Sequence, residues 1–334
     1  MARKLAGRYD HLVAFALEHP WAVTPAMRAI IAGILAQRLA GEEADDATIA
    51  AALDARSTRD IPVPTGGTVA VIPLFGVIAP RMNLFSEMSG GTTFEALGKQ
   101  LQAAVADPNV RQIVFDVDSP GGNVAGASEF AREVLRARTI KPVIAQAQHL
   151  LASAAYWPMA GATEIVASPS AMVGSIGVYA LHEDISGMLA QLGIRREVFA
   201  AGKYKAEGVD GGPLSEDARA HVQTLIDGAY NRFVGDVAKG RGVKPADVRS
   251  GYGEGRLLNA EQALAAGLID RIATLEDTLA RVTQPVTAGS VRGAADVPPV
   301  ITDAPVSQES RAGRDPFLAE MEQRVLTIGL KDAS

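Results

Sequence analysis

Three short stretches carry residue types suited to covalent chemistry. In LLASAAYWPMAG, Leu150 to Gly161, one hydroxyl, Ser153, stands among small and apolar neighbours. Small side chains on either side let a substrate backbone approach the hydroxyl closely, and the N–H of Ala154 is a candidate donor to an oxyanion formed there. In DVDSPGGNVAG, Pro120 fixes φ, and Gly121 and Gly122 leave the backbone free to turn its N–H groups outward, as a main-chain oxyanion hole requires. In FAAGKYKAEG, Lys203 and Lys205 stand at the end of an otherwise apolar strand. Burial there would disfavour the charged ammonium and leave a neutral amine to act as a base.

Each stretch has a plainer reading. SPGG is also a tight strand-to-helix turn, a serine at a helix start is also an N-cap, and GKYK is also a solvated charge pair. A serine hydroxyl is a poor nucleophile until a neighbouring base takes its proton. His149 is close in sequence but no acid is suitably placed to orient it, and His182 has no motif around it. Lysine is the alternative base. The chain has 0 cysteines, which excludes a thiol nucleophile, a disulfide framework and thiolate metal sites. The reading calls for no cofactor and no metal.

The elements that must position these residues follow from the hydrophobic pattern. A chain of 334 residues with 48% hydrophobic content can bury a sizeable core. Its 32 basic and 38 acidic residues are mixed along the sequence, which does not suggest a nucleic-acid surface. No export signal is apparent, and the most apolar run, AMRAIIAGILA, is too short to span a bilayer. Residues 1–60 read as a helical N-terminal extension with Thr24 as an N-cap and Pro25 after it. From Gly66, strand patterns (VRQIVFDVDS, KPVIAQAQ, ATEIVAS, GSIGVYAL) alternate with helical ones, including one opening near Ser153. The alternation predicts an α/β core of repeated βαβ units around a largely parallel sheet, over residues 61–283. A long helix is predicted from Ser215 to about Lys239, with Gly240 after it. Residues 284–315 have the composition of a flexible, disordered linker, and residues 316–334 regain the spacing of an amphipathic helix through Phe317, Met321 and Leu326.

The ordered set SPGG (119–122), ASAAYW (152–157), GSIGV (174–178) and GKYK (202–205) resembles the S49 family of serine peptidases, which includes signal peptide peptidase A and the capsid-assembly proteases of tailed phages. The resemblance implies a Clp/crotonase-like core and a Ser/Lys dyad. Ser153 then matches the nucleophile, Lys205 the general base, and Ser175 a serine that orients the lysine amine. The backbone N–H of Gly121 or Gly122 matches the oxyanion hole, and Lys203 falls at a variable position. The N-terminal stretch HPWAVTPAMRAIIAGILAQRLAGE looks like the phage minor capsid protein C, or head-maturation protease, branch. That branch implies capsid, portal or scaffold proteins as substrates, a homo-oligomer, and work at the procapsid in the bacterial host cytoplasm, with neither nucleic acid nor membrane as partner. A cytosolic S49 peptidase of general peptide turnover and a non-enzymatic portal- or scaffold-binding assembly protein are the alternatives.

Overall fold

The computed structural model describes residues 21–23, 69–80 and 92–283. The chain divides into two compact units, Met1–Pro285 and Val286–Ser334, and every described residue lies in the first. The predicted linker, the terminal helix and all but three residues of the N-terminal extension lie outside the described residues.

The first strand, β1, is Trp21–Val23. Val69–Phe75 forms β2, Ile78–Ala79 β3 and Thr92–Thr93 β4. Helix α1, Phe94–Ala106, starts where the Thr93 hydroxyl accepts the Ala96 N–H and buries Leu97 and Leu101 on one face. β5, Gln112–Ser119, is buried along almost its whole length, as expected of a central parallel strand covered on both faces. A three-residue strand, β6 (Gly121–Asn123), leads into α2, Ala127–Ala137, whose Phe130, Ala131 and Val134 pack inward at helical spacing. β7 is Val143–Ala152, α3 Tyr156–Met159, β8 Glu164–Ala167 and β9 Met172–Gly174.

Beyond the sheet core come α4 (Ser186–Gln191), the long α5 (Glu216–Arg241) and α6 (Pro245–Gly251). The described chain closes with β10 (Leu257–Asn259), α7 (Ala260–Ala265), β11 (Arg271–Ile272) and α8 (Leu275–Thr283).

One sheet runs in the order β10-β9-β7-β5-β2, with β8 also paired to β7 and β11 to β8. Only β10 with β9 is antiparallel; the other pairs of this sheet are parallel. The successive units β2–α1–β5, β5–α2–β7 and β7–α3–β8 join parallel neighbours through a helix, so the predicted α/β alternation is observed. A second, smaller sheet has the order β1-β6-β3-β4 and is built around the glycine pair. β1 contains the described residues of the extension read as helical, and it pairs antiparallel with β6, Ala22 facing Gly122.

Four local expectations change. β7 continues to Ala152, so Ser153 stands in a turn rather than at the start of a helix, and the N-cap of α3 is Ala155. GSIGVYAL contributes a strand only through Gly174. Residues 194–200 form no strand, and the lysines sit in turns. An extended segment becomes a strand only against a neighbour, and none is present among the described residues. The long helix starts after Ser215, as read, but ends at Gly242 in the left-handed region (φ 68°). Gly240 is instead a packing residue, since a Cβ there would lie 2.3 Å from the Ala160 carbonyl oxygen.

Candidate active site

Parallel pairing brings the ends of β5, β7 and β9 side by side. Leu151 of β7 lies opposite Ser119 of β5 on one side and Val173 of β9 on the other. The SPGG loop, Ser153 and Ser175 therefore leave the sheet together, although they are far apart in sequence. Ser153 follows β7 immediately, its N–H donating to the Gly174 carbonyl at 2.8 Å. Ser175, the residue that follows β9, donates its own N–H to the Arg256 carbonyl at 2.8 Å.

Ser153 has a left-handed backbone, φ 54°, and Ser175 has the same conformation, φ 55°. L-residues with a Cβ avoid that region, and such strain persists only where the surroundings over-determine it. Among the described residues, Glu254 is the one other non-glycine with positive φ. Ser153 is buried, yet no hydrogen bond engages its hydroxyl among the described residues. The Ala154 N–H is likewise without a backbone acceptor there, while the flanking Ala155 and Ser153 N–H groups are both used. A buried, unspent N–H beside a hydroxyl is the arrangement an oxyanion needs.

The glycine pair is held tightly. A Cβ on Gly122 would lie 2.0 Å from the Ile78 carbonyl oxygen, so only glycine fits where β6 crosses β3. Gly121 has φ 98°, and its N–H donates to the Ser119 hydroxyl at 3.2 Å. That hydroxyl in turn donates to the Gly76 carbonyl at 2.6 Å.

Directly after the serine turn, α3 is anchored from below. Trp157 stacks on Phe233 of α5, with ring centroids 4.3 Å apart and planes at 4°, and its indole N–H donates to Asp236 at 2.8 Å. The Tyr156 hydroxyl donates to the Leu268 carbonyl at 2.8 Å, and burial pushes its pKa well above the ordinary tyrosine value, so it remains a neutral donor. Arg241 bridges α5 to Asp270 at 2.6 Å and also donates to the Gly267 carbonyl. Burial works to raise the Asp270 pKa, but the bonds from Arg241 and from the Ile165 N–H outweigh it and hold the carboxyl below its usual range.

The two lysines are placed differently from the sequence expectation. Lys203 and Lys205 are exposed, and neither Ser153 nor Ser175 is hydrogen-bonded to them. Lys203 lies over the Tyr204 ring, 4.6 Å from its centroid. The segment around them is tied mainly to itself: the Ile185 N–H donates to the Gly211 carbonyl, His182 bonds the Gly212 carbonyl, and the Lys205 N–H donates to the Gly202 carbonyl. It carries a run of exposed apolar side chains, among them Met188, Leu192, Ile194 and Phe199, the last 91% exposed. Single-chain burial of Lys205, as the sequence suggested, is therefore not observed.

His149 does have an acid partner, contrary to the sequence reading. Its Nδ1 lies 3.1 Å from Asp118 Oδ2, and the carboxylate comes from the neighbouring strand 31 positions away. The clue was available in the DVDS stretch, but its use depends on knowing that β5 and β7 are neighbours. Among the described residues, no group of three or more His, Asp or Glu side chains is arranged to hold a metal ion, and no helix is long and apolar enough to cross a membrane.

Residues 136–288 match peptidase family S49. The chain is 30% identical over 243 residues to the head-tail preconnector protein GP5 of Enterobacteria phage P21, covering 73% of this chain and 48% of that one. It is 28% identical over 285 residues to the capsid assembly protease C of Escherichia phage lambda, covering 80% of this chain and 64% of the relative. With protease 4 of Salmonella typhi it shares 30% identity over 233 residues, 67% of this chain and 35% of the other. The chain thus spans less than two thirds of the length of each of these three relatives. The family match spans the β7–β9 region that presents Ser153 and Ser175, and residues 136–288 belong to peptidase family S49.

Proposed function

We propose that this protein is a serine endopeptidase that cleaves capsid, portal or scaffold proteins during phage head assembly. The observation that carries the reading is Ser153 itself: a buried residue with a left-handed backbone at the end of a central strand, its hydroxyl without a hydrogen bond among the described residues, beside an Ala154 N–H without a backbone acceptor there. In the proposed reaction the Lys205 amine takes the Ser153 proton and the oxygen attacks a peptide carbonyl. The oxyanion is met by the Ala154 N–H together with a glycine N–H of the 121–122 pair. The intermediate collapses with transfer of the lysine proton to the leaving amine, and water then hydrolyses the acyl-enzyme by the reverse use of the same base. Ser175 orients the amine. No metal or cofactor takes part in this scheme.

Lys205 is exposed in the single chain, so the reading includes association of copies. The apolar residues of the lysine segment are the face such contacts would cover, and their burial is what would desolvate the amine and bring it to the serine. Helices that join parallel neighbouring strands are compatible with a Clp/crotonase-like core. The phage setting, at the procapsid in the bacterial host cytoplasm, is supported by the names of the lambda and P21 relatives.

The test is cleavage of a denatured capsid-type protein by purified variants. Ser153→Ala and Lys205→Ala each lose more than about a hundredfold in kcat/KM, while Lys203→Ala retains most of it. A fully active Lys205→Ala enzyme contradicts the dyad, and an active Ser153→Ala enzyme contradicts the peptidase assignment.

A further inference from the structure

The β5–β7 ladder has a defect beside the site. Ile113 to Val117 face Val143 to Ala147 one for one, but the next pair is Ser119 with Leu151, so β7 carries extra residues opposite Asp118. β7 also changes neighbour at this point. Before the defect it pairs with β8 through Ile144–Ala147, and after it with β9 through Leu150–Ala152. The short stretch that delivers Ser153 is thus separated from the regular part of the sheet by a bulge, a device that re-aims side chains and loosens local register.

Asp118 and His149 close that bulge. A carboxylate can only accept, so His149 Nδ1 carries the proton and donates to Asp118 Oδ2 at 3.1 Å. Asp118 directly precedes the SPGG loop, and His149 is one of the extra residues of β7 before Ser153. No hydrogen bond joins His149 to Ser153. Both side chains are partly exposed, at 56% and 35%, so the pair adds little to global stability. Its effect falls on the spacing between the serine and the glycine pair.

We propose that Asp118 and His149 are positioning residues, whose hydrogen bond fixes the Ser153 turn relative to the oxyanion loop; this rests on the serine-peptidase reading above. Misplacement of reacting groups by a fraction of an ångström lowers turnover without equal loss of binding. Because the bond needs only a donor facing an acceptor, an amide can replace either side chain.

The experiment compares kcat and KM for peptide cleavage, with thermal melting, in His149→Ala, Asp118→Ala, His149→Asn, Asp118→Asn and Ser153→Ala. The two alanine variants are expected to lose about tenfold in kcat with KM within about twofold and melting unchanged, and the two asparagine variants to recover to within about threefold of wild type. Wild-type kcat in His149→Ala, with Ser153→Ala inert, overturns the positioning role alone. Asparagine variants as impaired as the alanine ones overturn it too, by assigning His149 and Asp118 to a Ser–His–Asp relay that needs the charge and the second ring nitrogen. An active Ser153→Ala enzyme overturns the underlying reading instead.

Discussion

Ser153 and Ser175 share one backbone conformation on adjacent strand ends, φ 54° and 55°, with the Ser153 N–H bonded to the carbonyl of the residue just before Ser175. Two side-chain-bearing residues in the left-handed region at the same sheet edge represent stored strain that packing alone has no need of.

The strain has a measurable sign at Ser153. Glycine occupies the left-handed region at no steric cost, whereas alanine retains the Cβ clash. Ser153→Gly is therefore expected to unfold about 1 kcal/mol harder than Ser153→Ala by denaturant titration, with both inactive. Equal stability of the two variants would show that the φ value carries no strain.

The lysine segment makes a second prediction. Phe199 is 91% exposed in the single chain, and the reading places it under a neighbouring copy. Phe199→Asp is expected to shift the protein toward smaller species in sedimentation and to lower peptidase activity in parallel, with the monomer's fold retained. An unchanged oligomer with full activity would remove this face from the assembly.

Stability at low pH follows from Asp270. Its folded-state pKa is depressed, with burial opposed and outweighed by Arg241 and the Ile165 N–H, so its contribution is present above the ordinary carboxylate range and is lost as pH falls through the depressed value. Melting temperature should therefore fall as pH drops below about 4, and Asp270→Asn should cost about 1 kcal/mol at neutral pH while flattening that decline. A parallel acid decline in the variant would assign the loss to other carboxylates.

Much of the α/β order was legible because hydrophobic periodicity and glycine stops are local signals. Ser215 at the start of the long helix was read in place. What the pattern could not give was long-range. Gly240 looked like a helix stop because its close approach to Ala160 depends on how α5 packs on the serine turn. His149 looked unsupported because Asp118 reaches it only across a parallel ladder with a bulge. Val198 and Phe199 read as strand because apolar β-formers resemble one another whether their partner lies in the same chain or another. Of the candidate site residues, Ser153, Ser175, Gly121, Gly122 and Ala154 gather around neighbouring strand ends, and Lys205 does not join them within the single chain.

The most direct measurement is the position of a covalent adduct. Assembled protein treated with a fluorophosphonate, digested and read by mass spectrometry is expected to carry the phosphonyl group on Ser153, with labelling slowed at least about tenfold in Lys205→Ala and unchanged in Lys203→Ala. Label on another serine, or undiminished labelling of Ser153 in Lys205→Ala, would contradict the Ser153/Lys205 account.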